Sequence, residues 1–200
     1  MTRPILLAAV ILCLSGCHQA PGQQPAEPVQ NEQPQRSSVA VAIKTRSEPA
    51  PMVLDDLIIF EDGRNCIAAP ITARLLDSLL VVTPDKSMRL GKVLAPDKFG
   101  TALGKPSLDI RENDFYEATL PLTGTWHGLK LVNVAKSGTP EGDYGFWSYR
   151  FDEPLEKVRI VLNQMGFALD EKGQQPAEGG EDYSPASLFR VEGLTALDCQ

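Results

Sequence analysis

Histidine is almost missing from this 200-residue chain: His18 and His127 are the only two. Within residues 53–200 a histidine-based catalytic triad would therefore have to use His127. Zinc needs three or four clustered ligands, and His127 has no partners at ligand spacing. Other signatures are missing too. There is no G-x-S-x-G elbow, no P-loop, no G-x-G-x-x-G turn and no Asp-x-Asp-x-Asp-Gly calcium loop. No apolar run approaches the ~20 residues that span a bilayer. Basic residues are the minority, 19 Lys and Arg against 26 Asp and Glu, which disfavours a nucleic-acid partner. The reading is of a non-enzymatic protein with no cofactor and no metal. A pair of carboxylates acting as in glycosidases stays open, because acidic residues are plentiful.

What is present begins at the N-terminus. Arg3 gives a positive start, Pro4 to Leu14 is apolar, and Leu14-Ser15-Gly16 sets small residues before Cys17. These are the parts of a secretory signal. Leu14-Ser15-Gly16-Cys17 resembles the bacterial lipobox. The resemblance implies cleavage before Cys17, removal of residues 1–16 together with Cys13, and acylation of Cys17. An ordinary secretory signal with an incidental cysteine is the alternative. Acyl chains on one residue contribute roughly 0.8 kcal/mol per buried methylene, enough in combination for stable anchoring. Lipoproteins kept at the inner membrane often carry Asp after the cysteine; here His18 follows. The resemblance thus implies an anchor in the outer membrane, facing the periplasm.

Residues 17–52 read as the lipidated cysteine and a tether. Residues 18–51 hold six Pro and six Gln and no aromatic side chain. Such composition buries too little apolar surface to offset the entropy of ordering. Val39-Ala-Val-Ala-Ile43 is the one stretch that could instead add a strand.

Residues 53–200 form one domain of ordinary size. Val53–Phe60 is branched and apolar and predicts a strand. Pro70 opens a helix whose Ile71, Leu75, Leu76, Leu79 and Leu80 share one side. Pro154 opens a second, with Leu155, Val158, Leu162 and Met165 on one face and Gly166 as its stop. Between them lie strands at Met88–Val93, Ser107–Ile110, Phe115–Leu120, Leu129–Val134 and Phe146–Phe151. In the last, Trp147, Tyr149 and Phe151 alternate against Ser148 and Arg150. Gly124 and Ser137 to Gly142 read as turns. A hairpin, Ser187–Val191 with Thr195–Cys199, closes the chain. The pattern predicts an α+β fold: a mainly antiparallel sheet with two helices on one face. The recurrence of a strand followed by a proline-led helix suggests two related halves.

Cys66 and Cys199 are the cysteines left after removal of the signal and acylation of Cys17. In an oxidising periplasm they are expected to pair. Charge is the other positive signal. From residue 53 onward there are 15 Lys and Arg and 23 Asp and Glu, so 15 − 23 = −8. Two polar loops concentrate the acids: one with Glu141 and Asp143, the other with Glu178, Glu181 and Asp182. Two meanings stand, solubility and steering of a basic partner. In the second, Trp126, His127, Tyr144 and the five acidic residues are the candidate contacts, with the aromatics as anchors. Trp147 is an anchor candidate as well, although its alternation favours the core.

Lipobox, flexible tether and small acidic domain together are similar in layout to the lipoproteins that inhibit cell-wall hydrolases and to toxin-immunity lipoproteins. No inhibitor motif is matched, so no inhibitory residue follows. The expectation is a domain that binds a basic periplasmic or secreted protein and inhibits it. A structural or assembly accessory of the outer membrane or wall is the alternative. Cys17→Ser is expected to abolish palmitate labelling and membrane retention. Labelling and fractionation unchanged by the substitution would remove Cys17 as the acylated residue.

Overall fold

The computed structural model describes residues 50–111, 114–142, 145–176 and 184–200. Cys17, the tether up to residue 49, Asp143, Tyr144, Glu178, Glu181 and Asp182 lie outside the described residues. The described chain follows the predicted class, with mostly antiparallel strands and two helices.

Four long strands set the frame. β6 (Phe115–Trp126) and β7 (Leu129–Gly138) are neighbours, followed outward by β8 (Gly145–Phe151) and β10 (Leu194–Cys199). β5 (Ser107–Arg111) and β9 (Ala186–Val191) are the edges, giving the order β5-β6-β7-β8-β10-β9. Every pairing in this sheet is antiparallel. Alternation along the strands fixes which residues face inward. Tyr116, Ala118, Leu120, Val134, Tyr149, Phe151, Leu188 and Leu197 are buried on one face and belong to one core. Ser148 and Arg150 point to the other face, as the sequence pattern requires.

Two breakers disguise the length of β6. Pro121 lacks an N–H, yet it lies beyond β5, where Gly104 donates to the Pro121 carbonyl at 2.8 Å. Proline is tolerated at such an edge. The register shifts between Pro121 and Gly124. Gly124 is thus not a turn: a Cβ there would collide with the Met52 carbonyl and Leu54. The turn comes later, at His127 and Gly128, with φ of 47° and 76°. Two successive positive φ values suit a two-residue hairpin, and glycine adopts one without strain.

The expected strand at Val53–Phe60 is mostly a turn. Only Val53 bridges to Thr125, and the regular strand β1 (Phe60–Asp62) starts at its end. The buried residues are Leu54, Leu57 and Ile58, a spacing of three and four, not two. Ile58 donates to the Leu54 carbonyl at 3.0 Å, so the segment coils and lets Asp55 and Asp56 reach solvent.

β1 pairs with β2 (Ile67–Ala68), and α1 (Pro70–Asp77) follows directly. Pro70 occupies the first turn as predicted. Thr72 then locks the helix onto the coiled segment: its hydroxyl donates to the Leu57 carbonyl at 2.9 Å and accepts from the Ile59 N–H at 2.8 Å. A short hairpin comes next, β3 (Leu80–Val82) with β4 (Met88–Leu90). α2 (Leu155–Gln164) buries Val158 and Leu162 against the same core. It ends as expected: the Phe167 N–H reaches the Leu162 carbonyl and the Gly166 N–H reaches Asn163, while the Phe167 ring folds into the core. The two helices enter from different contexts, α1 from a two-residue strand and α2 from the central β8.

Cys66 and Cys199 are joined, with Cα atoms 5.6 Å apart, within the range of native disulfides. The bridge ties the β1–β2 turn to the end of the last strand. It closes 133 residues, which contributes about 5 kcal/mol in the chain-entropy model. Cys199→Ser is expected to lower the denaturant midpoint sharply and to steepen the slope, because the unfolded chain without the cross-link exposes more surface. An unaltered midpoint would show that the bridge is dispensable.

Candidate functional site

The β3–β4 hairpin stands off the main sheet, and the gap between them is an apolar recess beside the turn at Glu141. Leu80, Val82 and Met88 make one wall. Trp147 on β8 and Cys199 on β10, paired in register, lie across from it. Gly138 and Gly145 face each other at the end of the β7–β8 ribbon. Neither contributes a side chain, and this empties the mouth. The recess measures about 420 Å³, enough for a large aromatic side chain and part of its backbone.

Local chemistry holds the wall in place. The Thr83 N–H donates to the Ser87 carbonyl at 2.8 Å. The Asp85 carboxylate accepts from the Thr83 hydroxyl and, at 3.1 Å, from the Ser87 hydroxyl. These bonds hold the Asp85 carboxyl below its ordinary range, the Thr83 hydroxyl contributing most. Their support is present at neutral pH and is lost as pH falls through that lowered pKa. At the back of the recess, the Lys136 ammonium binds the Asp77 carboxylate at 2.5 Å and links β7 to α1.

The predicted contact residues separate on this frame. Trp126 is a correction: it is fully buried, and its indole N–H donates to the Ile58 carbonyl at 2.7 Å. Its place at the end of β6, facing inward, makes it a core residue and removes it as a surface anchor. His127 is exposed at the hairpin turn. Its backbone N–H donates to Asp55 at 2.7 Å, and its Nδ1 lies 3.9 Å from the same carboxylate. It belongs to the opposite end of β7 from the recess. Glu141 is exposed next to Gly142, which lines the recess. Trp147 is only partly buried. Its alternation is as expected, and its ring borders the recess.

Leu80 was expected on the Pro70 helix, but that helix ends at Asp77 and Leu80 opens β3; Val82 and the pairing of Gly138 with Gly145 were not singled out in the sequence. The signal for them was the apolar Val81-Val82 before Pro84-Asp85, a hairpin with its apolar residues left outside. Val81 and Val82 are indeed 39% and 50% exposed. Burial also pushes the Tyr149 hydroxyl pKa up. No partner for that hydroxyl appears among the described residues, consistent with a core role.

Comparison with protein-family models, with curated proteins and with solved structures found no match.

The two tryptophans are expected to behave oppositely. Trp126→Ala should cost about 3–5 kcal/mol in stability, read by denaturant unfolding. Trp147→Ala should cost clearly less, because part of its surface already meets solvent. Equal losses would contradict the placement of the two rings.

Proposed function

We propose that the chain is an outer-membrane lipoprotein facing the periplasm, whose acidic domain binds a basic periplasmic or secreted protein and inhibits it. The single observation that carries the binding role is the recess beneath the β3–β4 hairpin. It is apolar, it is edged by Trp147, and it opens beside the acidic turn at Glu141. An aromatic or aliphatic side chain seated there would lose water on all sides, the condition for a binding hot spot. Surface acidity would act earlier, on the rate of encounter. The lipobox supports the location, and the layout of lipobox, tether and acidic domain supports inhibition of a wall hydrolase or toxin.

Residues 18–200, immobilised and exposed to periplasmic and secreted proteins, should retain a basic hydrolase. Titration should then silence that hydrolase at one-to-one stoichiometry. Val82→Arg places a long cation at the mouth from an exposed position. It should weaken retention at least tenfold, mainly by faster dissociation. A retained hydrolase that keeps full activity would refute inhibition. Retention untouched by Val82→Arg would move the site elsewhere. Turnover of a wall fragment by the chain itself would replace the proposal with an enzymatic one.

A further inference from the structure

The second face of the six-stranded sheet sets two guanidinium groups, Arg111 and Arg150, against two carboxylates, Glu117 and Asp198, around Ser148, so its charges balance. The two edges of the sheet are less alike. β9 is covered over its first half by residues 173–175: Leu188 donates to the Gly173 carbonyl at 2.7 Å and Gln175 to the Ala186 carbonyl at 3.1 Å. β5 has no such cover. Among the described residues, no group outside β6 bonds to the backbone of Ser107–Arg111, and the β3–β4 hairpin belongs to a separate sheet. An edge strand in this state offers a row of unpaired N–H and C=O groups to another strand.

Four of the five β5 residues are exposed. Pairing with β6 sets their faces. Ile110 stands opposite Tyr116, on the side of the core, whereas Asp109 and Arg111 stand opposite Glu117 and Phe115 on the other side. Ile110 is nevertheless 59% exposed. Arg111 lies 3.1 Å from Glu117 and 3.5 Å from Asp109, and Glu117 also takes Arg150 at 2.8 Å. Asp109 thus sits beside another carboxylate and, among the described residues, shares with it the only guanidinium it meets.

We infer that β5 pairs antiparallel with the β5 of a second copy of this chain, about a two-fold axis through Ile110. Strand geometry limits the choices. A two-fold axis normal to the sheet keeps each side chain on its own face, so odd-numbered residues oppose odd and even oppose even. Centring on Asp109 would set Asp109 against Asp109, a like-charge contact. Centring on Leu108 would set Arg111 against Lys105 and bring Pro106, which has no N–H, into the ladder. Centring on Ile110 sets Asp109 against Arg111 twice, once on each side of the axis, and packs Ile110 on Ile110. The strand is therefore complementary to itself, as a two-fold interface requires, and this selects a second copy over an arbitrary partner strand. Each Asp109 gains an arginine of its own. β6 separates β5 from β7, β8 and β10, which border the hairpin recess, so the pairing does not use that recess. The inference does not rest on the protein-binding reading.

Sedimentation of residues 18–200 over a concentration series tests the pairing. A contact between two five-residue strands is far smaller than a standard interface, so the dimer should be weak and concentration-dependent. Asp109→Arg and Arg111→Asp each put like charges opposite one another twice, and each should weaken dimerisation about tenfold or more. Mixed in equal amounts, the two variant chains should associate again as a heterodimer, because every Arg then meets an Asp. Ile110→Lys, at an exposed position on the side away from Glu117, should also weaken the dimer at least tenfold. A wild-type chain that stays monomeric up to millimolar concentration, or a dimer that survives Ile110→Lys undiminished, would overturn the inference. So would two variants that keep the circular dichroism of the parent yet form no heterodimer. If Arg111→Asp fails to fold beside Glu117, Asp109→Arg decides in its place, and a dimer of unchanged strength rejects the pairing.

Discussion

Three separate parts of the chain meet on the ring of Phe60. Its centroid lies 5.9 Å from Trp126, 5.1 Å from Tyr149 and 5.0 Å from Phe167. Trp126 and Tyr149 come from the sheet, Phe167 from the chain that leaves α2, and Phe60 from the first short strand. Aromatic pairs of this kind add about 0.5–1.5 kcal/mol each beyond the area they bury. The cluster does more than add energy. It fixes the irregular N-terminal segment, the sheet and the end of α2 against one another, and the Trp126–Ile58 hydrogen bond and the Cys66–Cys199 bridge reinforce the same junction. Both helices pack against the face of the sheet that carries this junction.

That asymmetry organises the surface. On the covered side, the β3–β4 hairpin faces the ends of β7, β8 and β10, and a recess lies between them. On the other side, among the described residues, no helix packs on the sheet, and its middle is Ala135, Ser137, Ser148, Arg150 and Glu117 with Phe115, Phe146 and Phe189 around them. A carboxylate placed there near the middle of a wide sheet loses much of its water, and it must find a cation. Glu117 finds two within the chain.

The sequence made some of this legible and hid the rest for identifiable reasons. α2 was readable because local rules agree there: a proline at the start, a single apolar face, and a glycine stop. The alternation of Trp147, Tyr149 and Phe151 against Ser148 and Arg150 was readable because β8 is a regular, half-buried strand. Val53–Phe60 misled because branched residues carry strand propensity, while tertiary burial of Leu54, Leu57 and Ile58 imposed a turn. Trp126 misled because Gly124 looked like a turn, whereas it is a point of close approach inside β6. Glu117, Ser148, Arg150 and Asp198 could not be grouped at all. They come from three strands, and only the register brings them together. The acidic loops at Glu178, Glu181 and Asp182 were visible as composition, which does not say what they face.

The dependence of the association rate on ionic strength tests the proposed binding of a basic protein by the acidic domain most directly. With net charge −8 over residues 53–200, steering by opposite charge predicts an on-rate that falls about tenfold or more from low salt to half-molar salt, while the off-rate changes little. An on-rate that stays flat or rises with salt would contradict the account.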